Sequence, residues 1–507
     1  MKKTFRLLAT LATVSMALVS CNKEIPADSV CNTSAGGGAR VISVSFGSST
    51  KSSLDGLQPK FTDGDKILVS NGTSKEECTV SVNGGKTEIT TTLSGNLTAV
   101  YPSAAAKLNA NAIEGVLVPA VQDGTFANAN IAKATMTEGA EKMTFTNQTA
   151  LFKVTPPAGV TSFTVTSLKA DVSGARTGTA VAINTEGADD AAKLVITVTG
   201  KDGDGNAYVS LLEGVKLCDL SFEYDAPDAT HGAIKGIPGK DIAAAANKLY
   251  TITDSNWYGY VKIGGLKWAT QNLAISASGK GNWKSAKVPG TESNVINGDY
   301  FQWAAKPGYC GSSSDSDKGL LIYNSFTSSF SFKGASSRVY NFTTEKTDKI
   351  APIAPYYSGS VGTGYSDSYA VGGALKSNDD AASIIQGATW RMPTAVEFKA
   401  LKDNTFWAWD DTDCGYYVFT PKSIDDKLNM SKIPDGYNKS NALLFFPAAG
   451  YGHQEQLRNN IYGKYCFHWT SIKESEYGKA TAVTIMTSFA ISPYDRCDGM
   501  SIRPVSN

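Results

Sequence analysis

Two stretches of the chain hold side chains suited to gripping a hydroxyl-rich ligand. The first, FWAWDDTDCGYY at 406–417, sets Trp407 and Trp409 beside Asp410, Asp411 and Asp413. The second is the loop from Tyr451 to Asn460, which carries His453, Gln454, Glu455, Arg458 and Asn459. An exposed ring offers a flat face to the C–H side of a sugar, while carboxylates and amides fix hydroxyls. The candidate ligand-binding residues are therefore Trp407, Trp409, Asp410, Asp411, Asp413, His453, Glu455 and Arg458. The plainer alternative is solvated loops beside core aromatics.

Catalysis has no comparable signature. There is no H-E-x-x-H, no G-x-S-x-G and no Walker loop. Three histidines exist: His231, His453 and His468. His468 sits in the aromatic FHWTS and reads as structural. No nucleophile stands beside a base. DGDGNAYVSLLE, from Asp202 to Glu213, resembles a calcium loop in spacing, but Ala207 stands where that loop needs glycine. A hairpin turn feeding a strand at 208–212 explains the same residues. No C-x-x-C pair supports zinc. No metal, no cofactor and no enzymatic activity are expected.

The N-terminus gives an address. Lys2, Lys3 and Arg6 precede an apolar run from Leu7 to Val19, too short to span a bilayer and right for a signal peptide. Leu18-Val19-Ser20-Cys21 reads as a lipobox, so Cys21 is the expected lipidation site and the outer membrane the expected anchor. Multiple acyl chains hold a protein stably on a membrane. Lys+Arg and Asp+Glu both number 47, with no long like-charge run, which argues against a nucleic-acid partner. Without Cys21, seven cysteines remain, and seven cannot all pair within one chain.

These residues need a scaffold, and the chain divides in composition near residue 255. All eight tryptophans and eighteen of the twenty-two tyrosines lie at or after Trp257. Before it, a Gly-rich tether (21–40) leads into short alternating segments: 41–46, 66–70, 78–82, 87–93, 97–101, 151–155, 163–166, 194–198, 208–212, 217–224 and 248–253. Asn-Gly and Asp-Gly dipeptides separate them, as in antiparallel hairpins. Their number and spacing predict β-sandwiches, two lobes at 41–155 and 156–255, joined near TPPAGV. In the C-terminal half, TWRMPTAVEFKAL (389–401) predicts a helix with a Thr394–Glu397 capping box and packing pairs Val396/Ala400 and Phe398/Leu401. Trp268, Trp303, Trp390 and Trp469 read as core. FFPAAG (445–450) reads as a buried strand ending in a turn.

FTDGDKILVS (61–70), LTAVYPS (97–103), FTNQTALFKVT (145–155) and NKLYTIT (247–253) resemble the fimbrillin-like lipoproteins, the type V pilins of Bacteroidota. That resemblance implies two tandem transthyretin-like sandwiches. It also implies proteolysis after a basic residue and assembly with other pilin subunits by strand exchange. Arg40 fits such a processing site by position, and fits a plain linker charge equally well. The physics of exchange is strand addition to an unpaired edge.

From Tyr260, VKIGGLKWATQNLAI (261–275), GDYFQWA (298–304), TWRMPTAVEFKAL, GYYVFTPK (415–422), LLFFPAAGY (443–451), FHWTS (467–471) and GMSIRPV (499–505) resemble the Fibrobacter succinogenes major paralogous domain. This implies a loop-rich α+β C-type-lectin-like domain over 258–507, on a scaffold shared with formylglycine-generating enzymes. Those oxidases use a copper-binding cysteine pair, and Cys466 and Cys497 sit in no matching motif. The calcium-ligating tripeptides of true C-type lectins are absent as well. The expected whole is mainly β: signal peptide (1–20), tether, two lobes and this domain. The expected role is non-catalytic, a fimbrial tip or accessory subunit touching a host or bacterial surface glycan or protein. The alternative is a glycan-binding or glycan-processing lipoprotein of a polysaccharide-use system.

Overall fold

Side chains alternate in and out along the first strands, and that period of two decides what they wrap around. The computed structural model describes residues 38–47, 59–170, 176–181, 195–237, 242–252, 257–273, 300–301, 303, 320–324, 329–332, 373–376, 380–421, 432–453, 456–457, 461, 463–476, 479–495 and 498–507. Cys21 lies outside them.

The first strands are Arg40–Phe46 (β1), Lys66–Ser70 (β2), Lys75–Asn83 (β3), Lys86–Thr91 (β4), Leu97–Tyr101 (β5), Ala106–Asn109 (β6), Ala112–Val116 (β7), Val121–Gln122 (β8), Ala132–Met136 (β9) and Lys142–Asn147 (β10), with the short helix Phe126–Ala129 (α1). Among the described residues, seven of them close a barrel in the order β1-β10-β9-β5-β2-β3-β4. Ile42, Val44, Ile67, Val69, Val80, Ile89, Met143 and Phe145 fill it, while Val41 faces solvent. The β3–β4 hairpin turns at Gly84 and Gly85, both at positive φ, a conformation that glycine adopts without strain. Strand β1 is paired on both sides, antiparallel to β4 and parallel to β10. Its first pair is Arg40 with Thr91, so the tether gives way to strand at Arg40 itself.

Next come Thr149–Val154 (β11), Phe163–Ala170 (β12), Arg176–Val181 (β13), Ile196–Val198 (β14), Ala207–Leu212 (β15), Leu220–Asp225 (β16), His231–Gly236 (β17) and Leu249–Ile252 (β18). Strand pairing changes partners at Gln148, ahead of the TPPAGV joint the sequence suggests: β10 belongs to the barrel, and β11 sits between β15 and β18. Strand β11 is covered on both faces, which is why TALFKV lacks polar alternation. Phe152, Val154, Val165, Val198, Val209, Leu211 and Phe222 share a core with Val100, Ile113, Val118 and Ile131 from the preceding residues. The Asp202–Asn206 stretch is a turn, with Asp202 Oδ1 accepting from the Asp204 and Asn206 N–H groups, and β15 follows it as a strand.

The remaining elements are Tyr258–Ile263 (β19), Leu266–Ala269 (β20), Tyr300–Phe301 (β21), Leu320–Asn324 (β22), Ser329–Phe332 (β23), helices Ala381–Gln386 (α2) and Ala395–Asn404 (α3), Phe406–Asp410 (β24), Gly415–Phe419 (β25), Leu444–Pro447 (β26), Gly452–His453 (β27), Gln456–Leu457 (β28), Cys466–Lys473 (β29), Lys479–Ile485 (β30), Phe489–Asp495 (β31) and Val505–Ser506 (β32). The chain is mainly β. Strand β19 pairs with β17, β20 with β19, and β32 with β20. One sheet, β32-β20-β19-β17-β16-β12-β14-β8 with β13 beside β12, therefore runs through residues on both sides of the composition change near 255. Residues Ala39–Asn507 form one compact unit.

Trp268, Trp303, Trp390 and Trp469 are fully buried, as their motifs suggest. The TWRMPT stretch works as a structural clamp. Glu397 Oε2 accepts from the Thr394 N–H (2.7 Å) and Thr394 Oγ1 accepts from the Glu397 N–H (3.2 Å), completing the capping box. Arg391 donates two parallel bonds to Glu397 (2.6 and 2.8 Å), and its N–H bonds to Val505 O at 2.9 Å. Burial pushes the Glu397 carboxyl up, and the Arg391 fork outweighs it, leaving the group below its ordinary value. Phe398 and Leu401 form the buried face of α3. Val396, expected to pack with Ala400, is 76% exposed, because only one side of this short helix meets the core.

Candidate functional site

The 406–417 candidates fall on a three-stranded sheet, β24-β25-β26, whose first turn they build. Trp407 is buried, 4.7 Å from the Phe446 ring, with Nε1 donating to Thr405 Oγ1 at 2.9 Å. It belongs to the core and offers no face to a ligand, a correction to its place among the binding candidates. Trp409 is half-buried. Its ring meets Tyr416 edge-on at 5.1 Å, and its Nε1 donates to Asp411 Oδ1 at 2.7 Å.

All three carboxylates are engaged by their own chain. Asp410 Oδ1 accepts from the Thr412 and Asp413 N–H groups at 3.0 and 2.8 Å. Lys439 Nζ bridges Asp410 (2.9 Å) and Asp413 (2.7 Å). Tyr417 Oη also donates to Asp413. Burial lowers the Lys439 pKa, yet the two aspartates outweigh it and hold the ammonium above its ordinary value. Asp411 is exposed, and its pKa is lowered by the Trp409 hydrogen bond and by Lys432 at 3.0 Å. The acidic run thus staples a turn, and Lys432 and Lys439 offset two of its three charges.

The second candidate loop lies on another sheet, β21-β22-β23-β28-β27. His453 pairs through its backbone with Gln456, and Glu455 and Arg458 lie outside the described residues. The structure therefore places the two candidate stretches in different sheets.

Behind β26 lies a buried polar cluster. Arg503 is fully buried, donating to Ala269 O (3.1 Å) and Phe445 O (2.6 Å), with its guanidinium 4.3 Å from the Phe446 ring centre. Burial draws its pKa down to about 9. His468 is buried beside it, Nε2 lying 3.1 Å from Asn272 Oδ1. Burial, reinforced by Arg503, holds its pKa well below the ordinary value. Cys466 is a buried free thiol that donates to Phe446 O at 3.3 Å, and burial raises its pKa. Neither group is presented to solvent as a base or a nucleophile. Among the described residues, no group of three or more His, Cys, Asp or Glu could hold a metal ion.

Sequence reading missed a cleft on the sheet β29-β30-β31. Tyr465 and Phe467, Thr484, and Ser492 and Tyr494 fall on one face by alternation; Phe467 sits opposite Thr484 across β29–β30. Tyr451 closes the side, 4.7 Å from Phe467 and 5.7 Å from Tyr494. The cleft is open to solvent, with a volume of about 390 Å³. Its tyrosines are scattered at 451, 465 and 494, so no local motif announces them.

No family model and no curated protein matches the chain. Solved structures give slight likenesses. A fimbrial protein from Bacteroides ovatus is 10% identical, covering 92% of this chain and 99% of its own, with a TM-score of 0.23. A fimbrial assembly protein from Parabacteroides distasonis is 12% identical, covering 44% and 96%, with a TM-score of 0.20. A candidate cell adhesion protein from Bacteroides uniformis is 13% identical, covering 44% and 97%, with a TM-score of 0.24.

Proposed function

We propose that the chain is a non-catalytic surface lipoprotein that acts in adhesion as a tip or accessory subunit of a fimbrial assembly. It would be anchored in the outer membrane through Cys21. The barrel and the strands that follow it form the assembly part, and residues 258–507 form the contacting head, a lectin-like domain. Pilin partners would add by strand exchange, and processing at Arg40 would trim the tether while leaving β1 paired in the barrel.

The observation that carries this reading is the pairing of β19 with β17. An open β17 edge would accept a strand from another chain. Here the chain's own next segment fills it, and β20 and β32 extend the sheet into the head. A subunit whose sheet edge is filled in cis suits the end of an assembly better than its repeating stalk. The test is location. Surface-sheared fimbriae should carry the protein at one end by immunogold labelling, and a deletion strain should keep its fimbriae but lose adherence. Uniform labelling along the shaft would overturn the tip reading.

The second reading, a glycan-binding lipoprotein of a polysaccharide-use system, is favoured by the tyrosine cleft. Growth failure of the deletion strain on a single glycan, with adherence intact, would select it.

A further inference from the structure

We infer that the cleft on β29-β30-β31 binds a neutral sugar ring, a hexose unit of a surface glycan. This deepens the adhesive reading and rests on it for its biological setting. Three features lead to the ligand class. The lining mixes rings, hydroxyls and aliphatic groups: Tyr451, Tyr465 and Tyr494 stand over a floor of Phe467; Thr484, Ser492 and the phenols supply donors and acceptors; and Ile461, Met486 and Ala490 add apolar surface. A pyranose has the complementary build, a C–H face ringed by hydroxyls. Second, no charged side chain lines the cleft among the described residues, so a phosphate, sulfate or uronate would lose hydration without gaining a counter-charge. Third, the volume of about 390 Å³ falls in the range of small-ligand sites.

The floor is preorganised. Phe467 and Thr484 are buried, and Thr484 Oγ1 lies 3.2 Å from Tyr494 Oη. That bond orients the phenol, and Phe467 meets the Tyr494 ring edge-on at 5.7 Å. The rigid side of the cleft thus presents a ring and a hydroxyl at a fixed angle. Both are held by a three-stranded sheet rather than by a loop.

The experiment uses the purified full chain. Glucose, galactose, mannose and N-acetylglucosamine, then their short oligosaccharides, are screened by saturation-transfer NMR and titrated by calorimetry. Galacturonate and a proline-rich peptide serve as comparators. We expect at least one neutral sugar to bind, with Tyr494→Ala weakening it at least tenfold. Because Tyr494 touches the core, Ser492→Trp provides a second variant: it fills the cleft from the edge strand and should abolish binding with the fold intact by circular dichroism. Val396→Ser, on the exposed face of α3, should bind like the parent. No binding of any neutral sugar, unchanged binding in Ser492→Trp, or selective binding of the uronate or the peptide would each overturn the inference. Cells carrying Ser492→Trp that still adhere would overturn the assignment of this sugar to an adhesion target and leave the adhesive reading standing. Uniform labelling along the fimbrial shaft would sink the tip reading and leave the sugar site untouched.

Discussion

Gly236 at the end of β17 and Gly387 after α2 meet backbone to backbone. A Cβ added to Gly387 would lie 2.6 Å from the Gly236 Cα, and one added to Gly236 would lie 2.5 Å from Gln386 O. Gly387 is also at φ +96°, where side chains are strained. Nearby, the Tyr260 side chain passes over Gly232, whose added Cβ would lie 2.3 Å from the phenol oxygen. The phenol bonds to Asp225 and lies 3.2 Å from Glu223. Lys262 and Lys267 pair with the same two carboxylates at 2.7 and 2.8 Å. The residues after 257 are therefore seated on the preceding strands by close backbone packing as well as strand pairing.

Gly387→Ala should destabilise the chain by about 2–4 kcal/mol, from overpacking plus strain. Limited proteolysis should then cut on either side of the seam faster than in the parent. Unchanged melting and unchanged cleavage would show that the seam yields without cost.

Trp407→Ala should act on stability rather than binding. Removing a buried indole costs about 3–5 kcal/mol, and chemical denaturation would read it. Trp409→Ala, at the half-buried ring, should cost markedly less. Equal losses would contradict the packing described for the β24–β25 hairpin.

The proposed lipobox offers one thiol for acylation, Cys21. Cys21→Ala should move the protein from the membrane fraction to the soluble fraction and abolish labelling by a fatty-acid probe. Continued labelling would remove the lipoprotein reading.

Cleavage after Arg40, if it occurs, should leave a chain beginning at Val41 that stays folded. The cut removes only the first pair of β1, and the rest of that strand keeps β4 on one side and β10 on the other. N-terminal sequencing and a melting curve of the processed form test this. A large fall in melting temperature would show that the segment before Val41 carries stability.

His468 should give a pH signature. Its folded pKa is lowered, so below the unfolded value of about 6.5 the unfolded chain binds the extra proton and stability falls as pH falls. The stability difference between the parent and His468→Gln should therefore change by about 1.4 kcal/mol per pH unit below that point and level off above it. Both proteins share every other titrating group, so the difference isolates His468. A flat difference from pH 7 to 5 would mean that the imidazole is not held neutral.

Local rules made much of this protein legible from its sequence. The segments at 66–70 and 97–101 match the observed strands end to end, since alternation and turn residues are short-range properties. The Thr394–Glu397 capping box and the four motif tryptophans were readable for the same reason. Strands β9 and β17 went unread: β9 is short and alanine-rich, and β17 starts and ends on small or polar residues. Long-range pairing alone makes strands of them. Tertiary structure also decided what periodicity leaves ambiguous. Trp407 and Trp409 share a strand face, yet one is sealed by Phe446 and the other stops at the rim. The aspartates beside them look free in sequence, but Lys439 arrives from a later 3-10 turn and takes two of them. The tyrosine cleft exists only because β29, β30 and β31 lie side by side, bringing residues 465, 484 and 494 onto one face while Tyr451 closes its side. Chain order fixes which residues alternate; the fold alone fixes which alternating faces meet.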